Sequence, residues 1–321
     1  MLSGKQSLIT TFFLLLLIFT GVSASAAEKH LNIALILWRG ETETEKGFRD
    51  GLKELGYDTT YTVINGEQNI HKLSTLLQTF NPGDYQYIYS FGTTASVKVK
   101  ELVREVTPQI FVAVLYPVEA GLVQTMERPG VNISGVSHYI PIEKQIETAY
   151  QLLEFGTLGV FYNPGEANSV ETIKNIRNLS YKLGFSLEAY PAKPGTNRLQ
   201  KYLGLLEKKI IDVDAVYLPS DSYIISESRE IADSLGKATI PGFTAVEECV
   251  KQGVLFGLTT GYYEIGKNAA TIVDQREKGK PLASIPVGLP TRTFLLINKA
   301  TAKTLEFQPD PTLTGNARWI E

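Results

Sequence analysis

Two α/β lobes in series, each a doubly wound parallel sheet and joined by a hinge of several crossings, are the fold class this sequence predicts. Three observations lead there. Short apolar runs alternate with helix-period segments along the chain, as strands buried on both faces of a parallel sheet require. The cycle restarts at Pro141, which divides it into two sets. The chain left after residue 27, nearly 300 residues, also reaches the roughly 250–300 residues at which a single core stops growing.

The elements follow in order. Leu31 to Leu37 reads as a strand, and Glu41 to Leu55 as a helix closed by Gly56, a C-cap signal. Tyr57 to Ile64 is a second strand, and Ile70 to Phe80 a helix ended by Asn81-Pro82-Gly83. Tyr85 to Ser90 is a third strand, Thr94 to Val106 a helix and Gln109 to Leu115 a fourth strand. The second set opens with a helix over Pro141 to Leu153. Strands over 158–162, 185–190, 214–218, 239–243 and 253–258 then alternate with helices.

The stretches Gly135-Val136-Ser137-His138 and Thr259-Thr260-Gly261 fall between the two sets and are the expected crossings. The helix Tyr262 to Lys278 follows an already complete second set, so it is expected to return to the first lobe, with the tail 285–297 crossing once more. The expected division is therefore a first lobe over 28–137 plus 261–284 and a second over 138–260 plus 285–321. Several short crossings form a hinge that permits closure around a ligand.

Residues 1–27 read as an export signal. Lys5 gives a positive start, Leu8 to Val22 carry no charge, and Ala24-Ser25-Ala26-Ala27 offer small residues for cleavage. The apolar run falls short of the roughly 20 residues that a spanning helix needs. No cysteine lies near the cleavage site, so a periplasmic protein without a membrane anchor is expected. Loss of Lys5 moves the formal charge from −3 by one further unit to −4, with no basic patch, which argues against nucleic acid. The lone Cys249 allows no internal disulfide, and a monomer is expected.

Candidate binding residues cluster where strands end and helices begin, the edge at which open α/β sheets hold ligands. The strand 158–162 stops at Asn163-Pro164-Gly165, and Glu166, Asn168 and Ser169 lie at the lip before the next helix. Phe91-Gly92-Thr93-Thr94 places two threonines at a helix start. They either cap it or offer hydroxyl and N–H groups to a carboxylate. Ser220-Asp221-Ser222 repeats the construction in the second set, with Asp221 either an N-cap or the partner of a cationic group. Trp38, Tyr116 and Phe243 are strand-end aromatics able to stack on a flat ligand. Core completion is the plainer role for Phe243, whereas Trp38, followed by Arg39-Gly40, is expected to face the cleft.

Several stretches resemble the solute-binding proteins of ABC importers with the type 1 periplasmic-binding fold, and within them the branch whose characterised members bind aromatic amino acids. These are GFRDGLKELGY (47–57), SFGTTAS (90–96), PVEAGLV (117–123), ERPGVNISGVS (127–137), EKQIE (143–147), YNPGEANS (162–169), VYLPSDS (216–222) and YYEIGKNAA (262–270). Together they span most of the chain. The resemblance implies a periplasmic receptor that hands a small molecule to permease and ATPase subunits. An amino acid, aromatic among the candidates, or a related small amide or carboxylate is its expected ligand. It also exposes departures: Tyr116, His138 and Gly261 stand where family members commonly carry acidic residues. A neutral or anionic ligand with aromatic character is thus as well suited as tryptophan or phenylalanine.

Other chemistry finds little support. His30, His71 and His138 share no metal-ligand spacing. His30 and His71 read as solvated, and His138 as a ligand contact or a hinge hydrogen bond. Gly-x-Gly-x-x-Gly, the P-loop and the Gly-x-Ser-x-Gly elbow are missing. Cys249, in a helix over Ala245 to Gln252, reads as a buried small residue. No metal, cofactor or catalytic residue is expected. Two alternatives remain open at this point: a sensing subunit for a membrane receptor kinase, and a two-domain α/β enzyme.

Overall fold

The computed structural model describes residues 29–103 and 106–321; the export-signal reading of 1–27 lies outside them. The chain runs β1 (Lys29–Leu37), α1 (Glu43–Glu54), β2 (Tyr57–Asn65), α2 (Ile70–Gln78), β3 (Tyr87–Phe91), α3 (Thr93–Val103), β4 (Gln109–Val112) and β5 (Ile133–Val136). It continues with α4 (Ile142–Leu153), β6 (Thr157–Tyr162), α5 (Ala167–Leu183), β7 (Ser186–Pro191), α6 (Arg198–Glu207), β8 (Ala215–Leu218), α7 (Ser222–Ser226), α8 (Ser228–Ala238), β9 (Gly242–Thr244), α9 (Glu247–Lys251) and β10 (Phe256–Thr259). α10 (Tyr262–Glu277), β11 (Phe294–Asn298), α11 (Lys299–Thr304), α12 (Pro311–Thr314) and β12 (Arg318–Ile320) complete it.

Two sheets result, with strand orders β2-β1-β3-β4-β5 and β12-β11-β10-β9-β8-β6-β7. All pairs are parallel except β10–β11, which runs antiparallel. Alternation along β1 explains the double winding. Leu31, Ile33, Leu35 and Leu37 pack with Phe48 and Leu52 of α1 and Ala269 and Ile272 of α10. Ala34 and Ile36 face the other way, onto Leu73 and Leu77 of α2 and Ala95 and Val99 of α3. The second sheet divides likewise. Leu158, Val160, Ala215 and Tyr217 pack with α4 and α5, while Phe161, Val216 and Leu218 pack with α6 and α8.

Local chemistry sets the helix starts. Thr42 caps α1 and forms a reciprocal capping box with Glu45. The return of α10 to the first lobe rests on small residues. A Cβ on Gly47 would overlap the Tyr263 carbonyl, and one on Gly266 the Thr44 carbonyl, so the two helices cross with their backbones in contact.

Some expected boundaries move. The fourth strand stops at Val112 instead of Leu115 because Ala113 turns into the left-handed region, at φ 56°. α3 begins at Thr93, one residue earlier than read, and residues 104 and 105 of the expected helix lie outside the described residues. α5 begins at Ala167 with Glu166 as its N-cap residue, so Asn168 and Ser169 sit in its first turn and not before it. The expected strand 239–243 shrinks to Gly242–Thr244 because Thr239, at φ 63°, ends α8 there. The tail changes lobes later than residue 285. Ile285 and Val287 belong to first-sheet cores, and Gly288 bridges to Val136. The chain thus crosses at 137–141, 260–261 and 289–293.

Candidate functional site

The carboxyl ends of both parallel sheets meet in one cleft. From the first lobe, β1 delivers Trp38 and Arg39, and β3 delivers Phe91 and Gly92, which sits at φ 84° and lets α3 start at once with Thr93. The N–H groups of that first turn have no intrahelical partners and favour negative charge. Arg39 places its guanidinium 5.3 Å from the centre of the Phe91 ring, within cation–π range.

From the second lobe comes a tightly bonded scaffold. Asp221 caps α7 by accepting from the Tyr223 and Ile224 N–H groups at 3.0 and 3.1 Å. Its other oxygen accepts from the Asn163 N–H at 2.5 Å and from the Ser169 hydroxyl. Asn163 Oδ1 accepts from the Gly165 N–H at 2.9 Å and holds the turn before α5. Asn168 Nδ2 donates to the Ser220 carbonyl at 2.7 Å. Glu166 projects from this scaffold, and its two oxygens share one donor, the Ser222 N–H, at 3.2 and 3.1 Å. Burial, then the neighbouring Asp221 charge, push its carboxyl up to about 7. Burial also pushes Asp221 up, against the pull of its four donors.

Between these walls lies a cavity of about 30 Å³, room for no more than a water or two. His138 and Tyr262, from two of the crossings, complete its lining, with their rings edge to face at 6.1 Å. It shares Arg39, Ser222, Ile225 and Tyr262 with a wider cavity of about 790 Å³, bounded also by Glu41 and Gln68 of one lobe and Arg229 and Lys251 of the other. The narrow part as it stands is too small to hold an amino acid.

Three buried nitrogens in the narrow part have no hydrogen-bond partner: Trp38 Nε1 and both ring nitrogens of His138. Trp38 Nε1 lies near enough to Glu166 to favour its ionised form, yet falls short of a hydrogen bond. Burial lowers the His138 imidazole to about 4, so it is neutral near pH 7, with one nitrogen a donor and the other an acceptor.

A sequence profile of ABC transporter substrate binding proteins matches residues 32–318. The chain belongs to that family. This substrate-binding protein is 26% identical, over 290 residues, to a curated relative named tyrosine-binding protein from Clostridioides difficile, covering 88% of this chain and 83% of the relative. Its fold is similar to that of a crystal structure described as a conserved domain protein from Vibrio cholerae, with TM-score 0.84 and 25% identity over 91% of this chain and 99% of the other. A Streptococcus pneumoniae structure described as an ABC domain in complex with L-Trp gives TM-score 0.83 and 23% identity, over 91% of this chain and all of that one.

Of the residues singled out from sequence, Trp38, Thr93, Thr94, His138, Glu166, Asn168, Ser220 and Ser222 line the narrow cavity. Asn163, Ser169 and Asp221 do not; they are buried beneath it as the scaffold. Asp221 is a cap, and its four donors leave no face for a ligand cation. Tyr116 is also displaced: its hydroxyl meets Thr172 and Asn175 of α5 at 3.5 and 3.3 Å, outside the cavity lining. Phe243 stacks on Phe256 at 5.7 Å in the core, and Cys249 is buried, its thiol pushed up to about 12. Sequence reading missed Arg39, Phe91, Gly92, Ala113, Ile225 and Tyr262 as lining residues. Their only signal was adjacency to strand ends and crossings.

Proposed function

We propose that this substrate-binding protein captures a small molecule: an amino acid, aromatic ones foremost, or a related small amide or carboxylate. In this reading it works in the periplasm as an unanchored monomer. It hands the molecule, chemically unchanged, to the permease and ATPase subunits of an ABC importer. The observation that carries the reading is the set of unpartnered buried nitrogens on Trp38 and His138, in a cavity built from both lobes. Buried polar atoms in native proteins find partners, and a ligand enclosed on closure supplies them here. The α3 N-terminus and Arg39 suit a carboxylate, and Trp38, Phe91 and Tyr262 suit a ring. The name of the Clostridioides difficile relative points to the same ligand class.

A micromolar dissociation constant corresponds to about −8 kcal/mol, within reach of one charge-assisted contact set and a stacked ring. Thermal-shift screening of amino acids, aromatic acids, amides and nucleosides tests the reading, because a molecule that binds the native state raises its melting temperature. Trp38 fluorescence in a Trp319→Phe background gives a second readout, since the chain has two tryptophans. Failure of the whole panel in both assays overturns it. Recovery of a bound ligand in altered form would overturn the non-enzymatic part.

A further inference from the structure

Among the described residues, Glu166 is the only acid lining the narrow cavity. Its side chain is nearly enclosed, at 4% exposure for the residue, and shares one backbone donor between two oxygens. Asp221, immediately behind it, collects four donors. Of two neighbouring buried carboxyls, the one with the donors keeps its charge and the other holds the proton. Glu166 is thus left wanting either a proton or a cation.

The surroundings decide which cation can reach it. From the loop after β1, Arg39 and Trp38 line the same space; from the crossings come neutral His138 and Tyr262; from the loop after β8 come Ser220 and Ser222. The Arg39 charge favours the ionised form of Glu166, yet among the described residues no ion pair joins the two. The far wall is the N-terminus of α3, with Thr93 and Thr94. An acidic group and an anion-favouring helix end therefore bound one cavity a few atoms wide, which is the charge pattern of a small zwitterion.

We propose that Glu166 receives the ammonium group of an α-amino acid whose carboxylate lies at the start of α3 beside Arg39, and that binding releases the Glu166 proton to solvent. This rests on the reading of the cleft as the ligand site. The balance is simple: a protonated carboxyl and an ammonium ion become a carboxylate–ammonium pair plus one proton.

Calorimetric titration of the full mature chain with L-tyrosine, L-tryptophan and L-phenylalanine, in two buffers of different ionisation enthalpy, counts that proton directly. The desamino acids of the same three compounds serve as carboxylate-only probes. Near pH 6 close to one proton leaves per amino acid bound, and affinity rises almost ten-fold per pH unit below about pH 6. The α-ammonium stays charged in that range, titrating only near roughly 8. Glu166→Gln, whose amide oxygen can still accept from Ser222, abolishes the proton release and flattens the pH dependence. It weakens the amino acids at least about ten-fold while sparing the desamino acids. A melting curve on this variant confirms its fold, and the wild-type proton count stands without it. Amino-acid binding without proton release, or unchanged affinity in Glu166→Gln, overturns the inference alone. Binding of desamino acids only does the same and leaves the receptor reading standing. Binding of none of the six overturns the inference, and failure of the wider thermal-shift panel as well overturns the receptor reading.

Discussion

Asn175 Nδ2 donates to the Tyr116 hydroxyl at 3.3 Å, and the two residues belong to opposite lobes. Tyr116 follows β4 of the first sheet, and Asn175 lies on α5, packed against the second. The bond spans the cleft between the lobes, so parting them breaks it. Tyr116→Phe keeps the ring, with its 5.8 Å contact to Tyr139, and removes the bond. Its expected effect is about 0.5–1.5 kcal/mol on closure, read as a two- to ten-fold loss of ligand affinity. Small-angle scattering of the unliganded variant should show a larger radius than wild type. Identical affinity and radius would dismiss the contact as incidental.

Asp221→Ala tests the scaffold beneath the site. The change strands the Asn163, Tyr223 and Ile224 N–H groups and the Ser169 hydroxyl. Losing a cap and leaving buried donors unpaired costs about 2–4 kcal/mol in all. Urea unfolding measures it, and any loss of ligand affinity should come with that loss of stability. Weakened binding at full stability would return Asp221 to the role of a ligand contact.

Glycine substitutions distinguish a close helix crossing from open space. Gly266→Ala drives a methyl group into the Thr44 carbonyl and the Phe48 N–H, so about 1–3 kcal/mol of destabilisation is expected from overpacking. Gly204→Ala, inside α6 with nothing within 4 Å of its new Cβ, should stabilise by about 0.5–1 kcal/mol. Thermal melts of the two variants should move in opposite directions.

Stability against pH carries two opposed contributions. An unfolded His138 takes a proton near 6.5, whereas the folded one, held at about 4, stays neutral. Its share of stability is therefore lost as pH falls through that window, by up to about 3 kcal/mol. Glu166 has the opposite sign: its folded value of about 7 exceeds the unfolded 4.5, so its share is present at low pH and lost as pH rises through that range. The slopes offset between about pH 4.5 and 6.5. Urea unfolding of Glu166→Gln at intervals across that range should show stability falling as the solution is acidified. A variant as flat as wild type would refute one of the two shifts.

Much of the fold was legible because strands buried on both faces must be apolar runs. Leu31 to Leu37 and Ala215 to Leu218 announce themselves in that way. What was not legible depended on partners distant in sequence. Nothing near Ala113 signals its left-handed turn, and Gly288 holds the first sheet only because Val136 lies beside it. The same holds in the site. Thr93, Thr94 and Glu166 could be found from strand-to-helix junctions, since local chain direction carries them to the cleft. Arg39 and Tyr262 meet only once α10 has returned to the first lobe, and no local pattern at either residue announces that. Tyr116 read as a strand-end aromatic, but the early end of β4 aims it at α5.

The crossing of α1 and α10 joins Gly47 to a carbonyl at residue 263. During synthesis, the first five strands and their helices therefore emerge long before the helix that covers Phe48 and Leu52. Until α10 arrives, one face of the leading sheet has α1 alone of its two helices, while α4 to β10 already supply most of the second lobe's layers. A late-made helix completes the first-made lobe, so a chain truncated before residue 262 lacks Ile265, Ala269, Ile272 and Val273 of its leading core. Maturation of both lobes is tied to release of nearly the entire polypeptide.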